Sequence, residues 1–391
     1  MSFLTAWLAR KFLKGGGRPS DGAASLVGKG DSFCSPAIQD TLSAIEALSQ
    51  VVKNNPDLVE IYLALGNLYR SQGDLERAVQ IRNCLIVRPG LDKAFQARSW
   101  LELGRDYKRG GFLDRARNAF EEARKLSGQD KAIIHELAML SADSGDYERC
   151  ASYYAQLRHP VAQAHYLVRL AWKYVDAGDD AAAKKWLARA LKVYPGSVEA
   201  WLATLERQLR VGQWKSFQTL FRNALDEVAP ALTFLLPEGL LHPSRTALLP
   251  ANVSPRSDPA SSPDDLFSLK RLAELALPVI EERAKDILLT YYSGILLLRC
   301  HQQEAAVVWF ERTLALGPDF WPARLELLDL SRASQPFSLD FTAQLEFFLT
   351  QARQVKRFFC RSCGLKREHI FFNCPRCRAW HSVGFRSVLH E

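Results

Sequence analysis

The chain has 391 residues, of which 48% are hydrophobic and 24% charged, and a formal net charge of +8. This composition is ordinary for a soluble globular protein, and the length is sufficient for two or more domains. The N-terminal sequence is unlike a cleaved secretory signal. Together with the pattern of the eight cysteines, it favours a reducing compartment over a disulfide scaffold, so a cytoplasmic location is expected.

The positive charge is concentrated at the two ends of the chain. Residues 1–30 carry a net charge of +4 and residues 353–391 a net charge of +7, so the residues between them sum to −3. Basic ends suit an anionic membrane surface or an acidic partner. The alternative is that these charges only keep the protein soluble.

Residues 1–14 predict a short amphipathic helix. Its apolar face carries Phe3, Leu4, Trp7, Leu8 and Phe12, and its cations are Arg10, Lys11 and Lys14. The apolar run is shorter than the about 20 residues that span a bilayer, but it suits the headgroup region of a membrane. The alternatives are a helix docked on the first repeat and a frayed terminus. Residues 15–36, rich in Gly, Ser and Asp, predict a flexible linker.

Residues 37–229 predict tetratricopeptide repeats. Turn glycines recur at spacings of 38, 34, 33 and 34 residues, at Gly73, Gly111, Gly145, Gly178 and Gly212. A period near 34 residues with two helices per period is the signature of this repeat, although an unrelated helical bundle is the alternative. Because neighbouring helix pairs must stack closely, small residues are expected at the helix crossings. These are Gly66, Gly104, Ala78, Ala116 and Ala183, with Cys150 at an equivalent buried place.

The repeat pattern stops at residues 230–265, which are rich in proline and serine and predict an exposed loop or linker. Residues 266–354 predict further repeats, with Gly294, Ala306 and Phe310 at the repeat positions and a last helix pair at 321–333 and 339–354. The predicted fold class is therefore an all-α tetratricopeptide-repeat solenoid of about seven helix pairs, followed by a small C-terminal metal-binding domain.

Residues 355–391 contain two C-x-x-C pairs separated by ten residues, formed by Cys360, Cys363, Cys374 and Cys377. Two such pairs predict a tetrahedral four-thiolate site. Because a closed site leaves no open coordination position, its metal is expected to be structural, with zinc as the default and iron in a rubredoxin-like site as the alternative. The nearby His369 and His381 are not needed as ligands. Gly364 and Pro375 suit the two tight turns, and Phe371–Phe372 is expected in the second strand of a β-hairpin.

Arginines and lysines surround this segment and are expected to offset part of the negative charge of four thiolates around a divalent ion. The interleaved aromatic residues are Phe358, Phe359, Phe371, Phe372 and Trp380. They are expected to pack the ribbon and seal it against the last helices. The alternative is that they stack on nucleic-acid bases, which the sequence disfavours.

The combination of repeats and ribbon resembles the lipopolysaccharide assembly protein B family of Gram-negative bacteria. The likeness is carried by Leu65–Arg70 with Gly73, by Leu103–Tyr107 with Arg115–Ala116, and by Cys374–Trp380 with the upstream cysteine pair. The family usually begins with a transmembrane helix, where this chain has only the amphipathic segment at 1–14. The insert at 230–265 is also unusual for the family.

The resemblance implies a non-enzymatic adaptor attached peripherally to the cytoplasmic face of the inner membrane. In this family, the adaptor is thought to adjust lipopolysaccharide synthesis by bringing the lipid A pathway deacetylase to an FtsH-type membrane protease. Its expected partners are therefore these two proteins and other lipopolysaccharide assembly proteins. Alternatives are a rubredoxin-like electron carrier and a nucleic-acid-binding ribbon on a repeat scaffold.

No nucleophile elbow, phosphate loop or open metal site predicts catalysis in this sequence. In tetratricopeptide proteins the first helices line a partner-binding groove, and the candidate groove residues are Asn67, Arg70, Arg105, Lys108 and Arg109. Their charge would suit an acidic peptide or the C-terminus of a partner. The alternative is a solvated helix face.

Overall fold

A computed structural model describes residues 36–54, 58–242, 263–283, 285–334 and 337–387. The predictions for the helix at 1–14 and for the linker up to residue 35 lie outside these ranges. The described residues form 17 α-helices and three short strands. The helices are α1 Pro36–Asn54, α2 Val59–Gln72, α3 Leu75–Ile86, α4 Lys93–Arg109, α5 Leu113–Ser127, α6 Lys131–Asp143, α7 Tyr147–Gln156, α8 Pro160–Asp176, α9 Asp180–Val193, α10 Val198–Val211, α11 Trp214–Glu227, α12 Leu235–Leu241, α13 Pro263–Glu281, α14 Ile287–Arg299, α15 Gln303–Leu316, α16 Trp321–Ser334 and α17 Leu339–Arg353.

The chain divides into two compact units, Met1–Asp74 and Leu75–Glu391. In the first unit, α2 buries Leu63, Leu65 and Gly66. It ends at Gly73, whose φ of 88° is a left-handed conformation that glycine adopts without steric cost.

The second unit consists mainly of helix pairs, each a first helix, a tight turn and a second helix. The turn glycines that define the sequence period adopt positive φ angles, as at Gly145 with 73° and Gly178 with 81°. Several first helices begin at a capping side chain, such as Asp130 before α6 and Ser197 before α10, which accepts a hydrogen bond from a backbone N–H of the first turn. The sequence period therefore marks real helix–turn–helix corners.

Within the pairs, small residues allow the two helices to approach closely. A Cβ atom built on Gly104 would lie 2.4 Å from the ring of Phe120, and one on Gly294 would lie 2.5 Å from the ring of Phe310. Ala116 and Cys150 are completely buried at the corresponding places on second helices. The predicted crossing positions in this unit are confirmed.

The predicted loop at 230–265 differs from the structure in its first part. A 3₁₀ turn at Pro230–Leu232 and the helix α12 continue the array, and the hydrophobic side chains of α12 are buried in the main core. The prolines mislead here because Pro230 opens the 3₁₀ turn, where its missing N–H is not needed. Residues 243–262 lie outside the described ranges, and α13 already begins at Pro263.

The C-terminal ribbon contains a three-stranded antiparallel sheet in the order β2–β1–β3, with β1 Phe358–Cys360, β2 Lys366–Arg367 and β3 Val383–Phe385. The sequence predicts a hairpin between the two cysteine pairs, but the observed hairpin of β1 and β2 encloses the first pair. Cys360 lies in β1, Cys363 lies in the connection, and Phe358 pairs with Arg367. The prediction that Phe371–Phe372 forms the second strand is wrong. These two side chains are instead buried in the core of the ribbon and repeats.

Among the residues that the structure describes, every helix is too short or too polar to span a bilayer.

Candidate metal centre

The four predicted cysteine thiols converge at one point in the ribbon. Their sulfur atoms lie within 4.8 Å of one another, with Sγ–Sγ distances of 3.6 Å from Cys360 to Cys377 and 3.7 Å from Cys363 to Cys374. Zinc–sulfur bonds of about 2.3 Å in a tetrahedral site place neighbouring sulfurs about 3.8 Å apart. The donor set and its spacing therefore fit one tetrahedral metal ion.

Each cysteine pair lies on a tight turn whose last residue has a positive φ. Gly364 follows Cys363 with a φ of 70°, and Arg378 follows Cys377 with a φ of 60°. The backbone N–H of Gly364 donates to the carbonyl of Cys360, and that of Arg378 donates to the carbonyl of Cys374. The second turn thus holds a bulky residue in a conformation that favours glycine, which costs about 1–2 kcal/mol.

The thiols are chemically unequal. Burial opposes ionisation of Cys360, but hydrogen bonds from the Ser382 hydroxyl and from nearby backbone N–H groups lower the pKa of its thiol to about 6. A backbone hydrogen bond to Cys377 favours its thiolate, but burial and the neighbouring thiols raise its pKa to about 12. Four clustered thiols resist full ionisation together, and a bound cation supplies the positive charge that such a cluster needs.

A carboxylate on the repeats joins the ribbon to the helix array. Glu199, in the first turn of α10, has a completely buried side chain. It lies 2.8 Å from Nε2 of His381 on the ribbon and 3.2 Å from Nδ1 of His165 on α8. The hydroxyl of Ser197 also lies 3.3 Å from this carboxylate. One buried anion therefore has two imidazole partners, one on the ribbon and one on the repeats.

The charges in this cluster reinforce one another. Burial disfavours the charged form of Glu199, but the neighbouring His381 and His165 hold the pKa of this carboxyl well below its usual range. Burial likewise opposes the charged form of His381, but Glu199 outweighs it and raises the pKa of the imidazole. An ion pair between Glu199 and His381 is thus favoured at neutral and mildly acidic pH.

Aromatic contacts extend this junction on both sides. The ring of Trp380 packs edge-on against His165, with centroids 4.9 Å apart. At the other end of the ribbon, Phe385 stacks on Phe320 at 5.9 Å and lies 6.1 Å from Tyr291. The expectation that the ribbon aromatics seal against the last helices is therefore wrong for Trp380, which packs on α8 instead.

Two ribbon arginines also bind the repeats. Arg357 donates to the hydroxyl of Tyr291 at 2.9 Å and lies 3.5 Å from the carboxylate of Glu326. Arg361 donates to the backbone carbonyl of Ala231 at 3.0 Å. These two cations thus make specific contacts with the helices.

The candidate groove residues make intramolecular contacts. On α4, Arg105 lies 2.8 Å from Glu136 and 2.7 Å from Glu102, and Lys108 lies 3.2 Å from Asp143. Arg109 is exposed on the same helix. In the first unit, Arg70 donates to the side chain of Asn67 at 2.9 Å. Acidic neighbours already balance Arg105 and Lys108, so binding of an acidic peptide at these residues stays a prediction.

Sequence reasoning finds the cysteines but misses the residues that dock them. Glu199 and His381 are separated by 182 positions, and each alone looks like an ordinary surface residue. One local pattern indicates that Glu199 is buried, because it lies in the first turn of α10 directly before the buried residues Ala200–Ala203.

The chain is similar to known proteins over most of its length. The tetratricopeptide repeat family matches residues 37–81. The chain is 21% identical over 353 residues to Lipopolysaccharide assembly protein B of Escherichia coli (strain K12), a match that covers 87% of this chain and 84% of that protein. It is 22% identical over 343 residues to the protein of the same name from Haemophilus influenzae, covering 83% and 78%. These matches confirm the resemblance drawn from the repeat and cysteine motifs.

Solved structures with some likeness include MamA, with 20% identity and a TM-score of 0.32 over 41% of this chain and 96% of that one. A tetratricopeptide repeat protein from Parabacteroides merdae has 18% identity and a TM-score of 0.32, covering 70% and 98%. The helix pairs, the family match and the cysteine ribbon together confirm the predicted fold class, a tetratricopeptide array with a small four-cysteine domain.

Proposed function

We propose that this tetratricopeptide-repeat chain, a relative of Lipopolysaccharide assembly protein B, is a non-catalytic adaptor in lipopolysaccharide biosynthesis. It acts at the cytoplasmic face of the inner membrane, where it brings a lipid A pathway deacetylase to an FtsH-type membrane protease. The observation that carries the proposal is the span of the likeness, which covers 87% of this chain and 84% of the relative.

The packing of the ribbon on the repeats supports an adaptor whose repeats and ribbon form one continuous binding surface. The ribbon contacts first helices on both sides of residues 230–265, through Glu199 on α10 and Tyr291 on α14. Tetratricopeptide arrays use first helices to hold partners, so a ribbon seated there would shape the surface that a partner meets.

The metal in this proposal is a structural zinc ion held by Cys360, Cys363, Cys374 and Cys377. A segment of this size cannot build its own core, so a bound ion would supply much of its folding free energy. The chain's own residues then do the docking, because the turn after Cys377 presents Trp380 and His381 to the repeats.

The test is a cross-linked pull-down from the native membrane fraction that compares the wild-type chain with Cys374→Ser/Cys377→Ser. The expected result is recovery of the protease and the deacetylase with the wild type and their loss with the double variant. Cys84→Ser is the matched control, because Cys84 is exposed and distant in sequence from the ribbon. Circular dichroism should show that the helices of all three proteins remain folded.

Equal recovery with the wild type and the double variant would contradict the role assigned to the ribbon. Recovery of only ribosomal or nucleic-acid-associated partners would contradict the proposed function as a whole.

A further inference from the structure

The four clustered cysteines of the ribbon differ in how far solvent reaches them. Cys360 and Cys374 are completely buried, at 0% exposure, and Cys363 is half-buried. Cys377 is exposed, although its sulfur belongs to the same cluster. Because oxidation of a cysteine depends on thiolate character and on exposure, Cys377 is the ligand that an oxidant in solution reaches first.

The charges beside Cys377 favour its reaction with a peroxide. Arg376 and Arg378 flank it in the sequence, and both side chains are exposed. When a thiolate attacks a peroxide, a hydroxide ion leaves, and positive charge at the site of attack stabilises that ion. The two arginines therefore supply the charge that the leaving group needs.

A second sulfur lies within reach of Cys377. Its Sγ atom is 3.6 Å from that of Cys360, whose position is fixed by burial and by the hydroxyl of Ser382 at 3.2 Å. The sulfurs of a disulfide are about 2.05 Å apart, so a shift of the exposed turn by roughly 1.5 Å joins the two atoms. Cys363 and Cys374 form a second close pair, at 3.7 Å.

The turn that carries Cys377 leads directly into the residues that dock the ribbon. Trp380 follows it by three positions and packs against His165 on α8. His381 is the next residue, and its Nε2 atom lies 2.8 Å from the buried carboxylate of Glu199 on α10. A rearrangement at Cys377 therefore acts on both contacts through a very short stretch of backbone.

We propose that the cysteine centre is an oxidant-sensitive switch, in which a peroxide oxidises Cys377 and the ribbon then releases the first helices of the repeats. The thiolate of Cys377 attacks the O–O bond of the peroxide, which forms a sulfenic acid and releases one hydroxide ion. The thiolate of Cys360 attacks the sulfenic sulfur, which forms a disulfide and releases a second hydroxide ion. Two thiolates thus lose two electrons in total, and one hydrogen peroxide molecule is reduced to two hydroxide ions.

The disulfide leaves only Cys363 and Cys374 as metal ligands. The ribbon then loses its metal ion, and with it much of its folding free energy, so Trp380 and His381 leave α8 and α10. Oxidation would thereby uncover the part of the first-helix surface that the ribbon occupies. The inference rests on the structural zinc ion of the proposed function, but not on the identity of any partner.

The test treats the full-length chain, loaded with one equivalent of zinc, with hydrogen peroxide in the absence of other proteins. A chromogenic chelator follows zinc release, dimedone traps sulfenic acid, and mass spectrometry maps the adducts and disulfides. We expect dimedone on Cys377 before any other ribbon cysteine. A disulfide between Cys360 and Cys377 should then form together with zinc release, and dithiothreitol with added zinc should restore the starting protein.

The variant Cys377→His removes the reactive sulfur but keeps four ligands, because a histidine nitrogen also binds zinc. It should slow zinc release by peroxide at least tenfold. Cys84→Ser is the matched control, because it removes an exposed cysteine outside the cluster and should release zinc within twofold of the wild-type rate. If Cys377→His does not hold zinc, the adduct and disulfide maps of the wild type still decide the matter.

Hydrogen exchange reports the release of the repeats. Oxidation should raise exchange in α8 and at the start of α10, while α4 and α5 keep their protection. First trapping at the buried Cys360 or Cys374, retention of zinc after Cys84 is fully oxidised, or unchanged exchange at α10 after zinc loss would each overturn the proposal. Because no protease or client enzyme is present, these outcomes are independent of the membrane pull-down, and a failed pull-down would leave the switch standing.

Discussion

At the scale of single residues, the junction between Glu199 and His381 makes stability depend on pH. The pKa of His381 is raised, so its contribution is fully present below its unfolded value of about 6.5 and is lost as pH rises through the folded value. The pKa of Glu199 is lowered, so its contribution is present above its unfolded value of about 4.3. Both contributions are therefore complete between about pH 4.3 and 6.5.

We expect the melting temperature of the wild type to fall between pH 6 and pH 9. His381→Gln should lower stability by about 1–3 kcal/mol at pH 6, because it removes a hydrogen bond to a buried charged group, and should flatten the pH dependence. Thermal denaturation at several pH values checks this. His369→Gln is the control, because His369 is an exposed ribbon histidine and should leave the wild-type profile intact. An unchanged profile in His381→Gln would contradict the ion pair.

Arg378 offers a second residue-scale prediction. Its φ of 60° is strained for a residue with a side chain, so Arg378→Gly should stabilise the ribbon by about 1 kcal/mol. Gly364→Ala, at the corresponding place in the first turn, should destabilise it by a similar amount. Competition with a zinc chelator provides the measurement, and resistance should increase in the first variant and decrease in the second. The reverse order would show that side-chain contacts of Arg378 outweigh the strain.

At the scale of elements, the close crossing of α14 and α15 should not tolerate a larger residue. Gly294→Ala would place a Cβ atom 2.5 Å from the ring of Phe310, so overpacking should cost about 1–3 kcal/mol. In a helix without this crossing, the same change would stabilise the protein by up to about 1 kcal/mol. The sign of the change in the free energy of unfolding therefore shows whether the crossing is as close as described. Chemical denaturation gives the value.

The double variant Gly294→Ala/Phe310→Leu separates the clash from other effects. It should show a coupling of opposite sign to the single changes, because the smaller side chain leaves room for the new methyl group. Strictly additive changes would mean that the contact between residues 294 and 310 is not the source of the cost.

Helix pairs and cysteine turns are predictable from the sequence because their causes are local. A positive φ at Gly145 or a small residue at Gly104 is required by geometry within one repeat, so the repeat period carries the information. The helix α12 is missed because its burial depends on the distant core, which overrides the local signal of its prolines. The docking pair Glu199 and His381 is missed for the same reason, since a contact across 182 positions leaves no local pattern.

At the scale of the whole molecule, metal removal should loosen the ribbon and the helices beneath it. Once the four thiols lose their shared cation, their mutual repulsion favours opening of both turns, and Trp380 and His381 lose their support. Hydrogen exchange after chelation should rise in the ribbon and at the start of α10, while α4 and α5 keep their protection. Elemental analysis of the untreated protein should find one zinc ion per chain. Unchanged exchange at α10 would show that docking does not need the metal.

The ribbon also gives the second unit long-range contacts, which a repeat array normally lacks. A repeat array normally has contacts only between neighbours, so it can fold from any point along its length. Here Trp380 and Phe385, near the C-terminus, touch helices that were completed about 200 and 90 residues earlier in the chain. Because synthesis proceeds from the N-terminus, these helices leave the ribosome before the ribbon that contacts them has been synthesised. A chain truncated before the ribbon would keep nearly all its helices but lack the contacts of Trp380 and Phe385. We expect quality-control proteases to recognise such a chain as a loosely packed array.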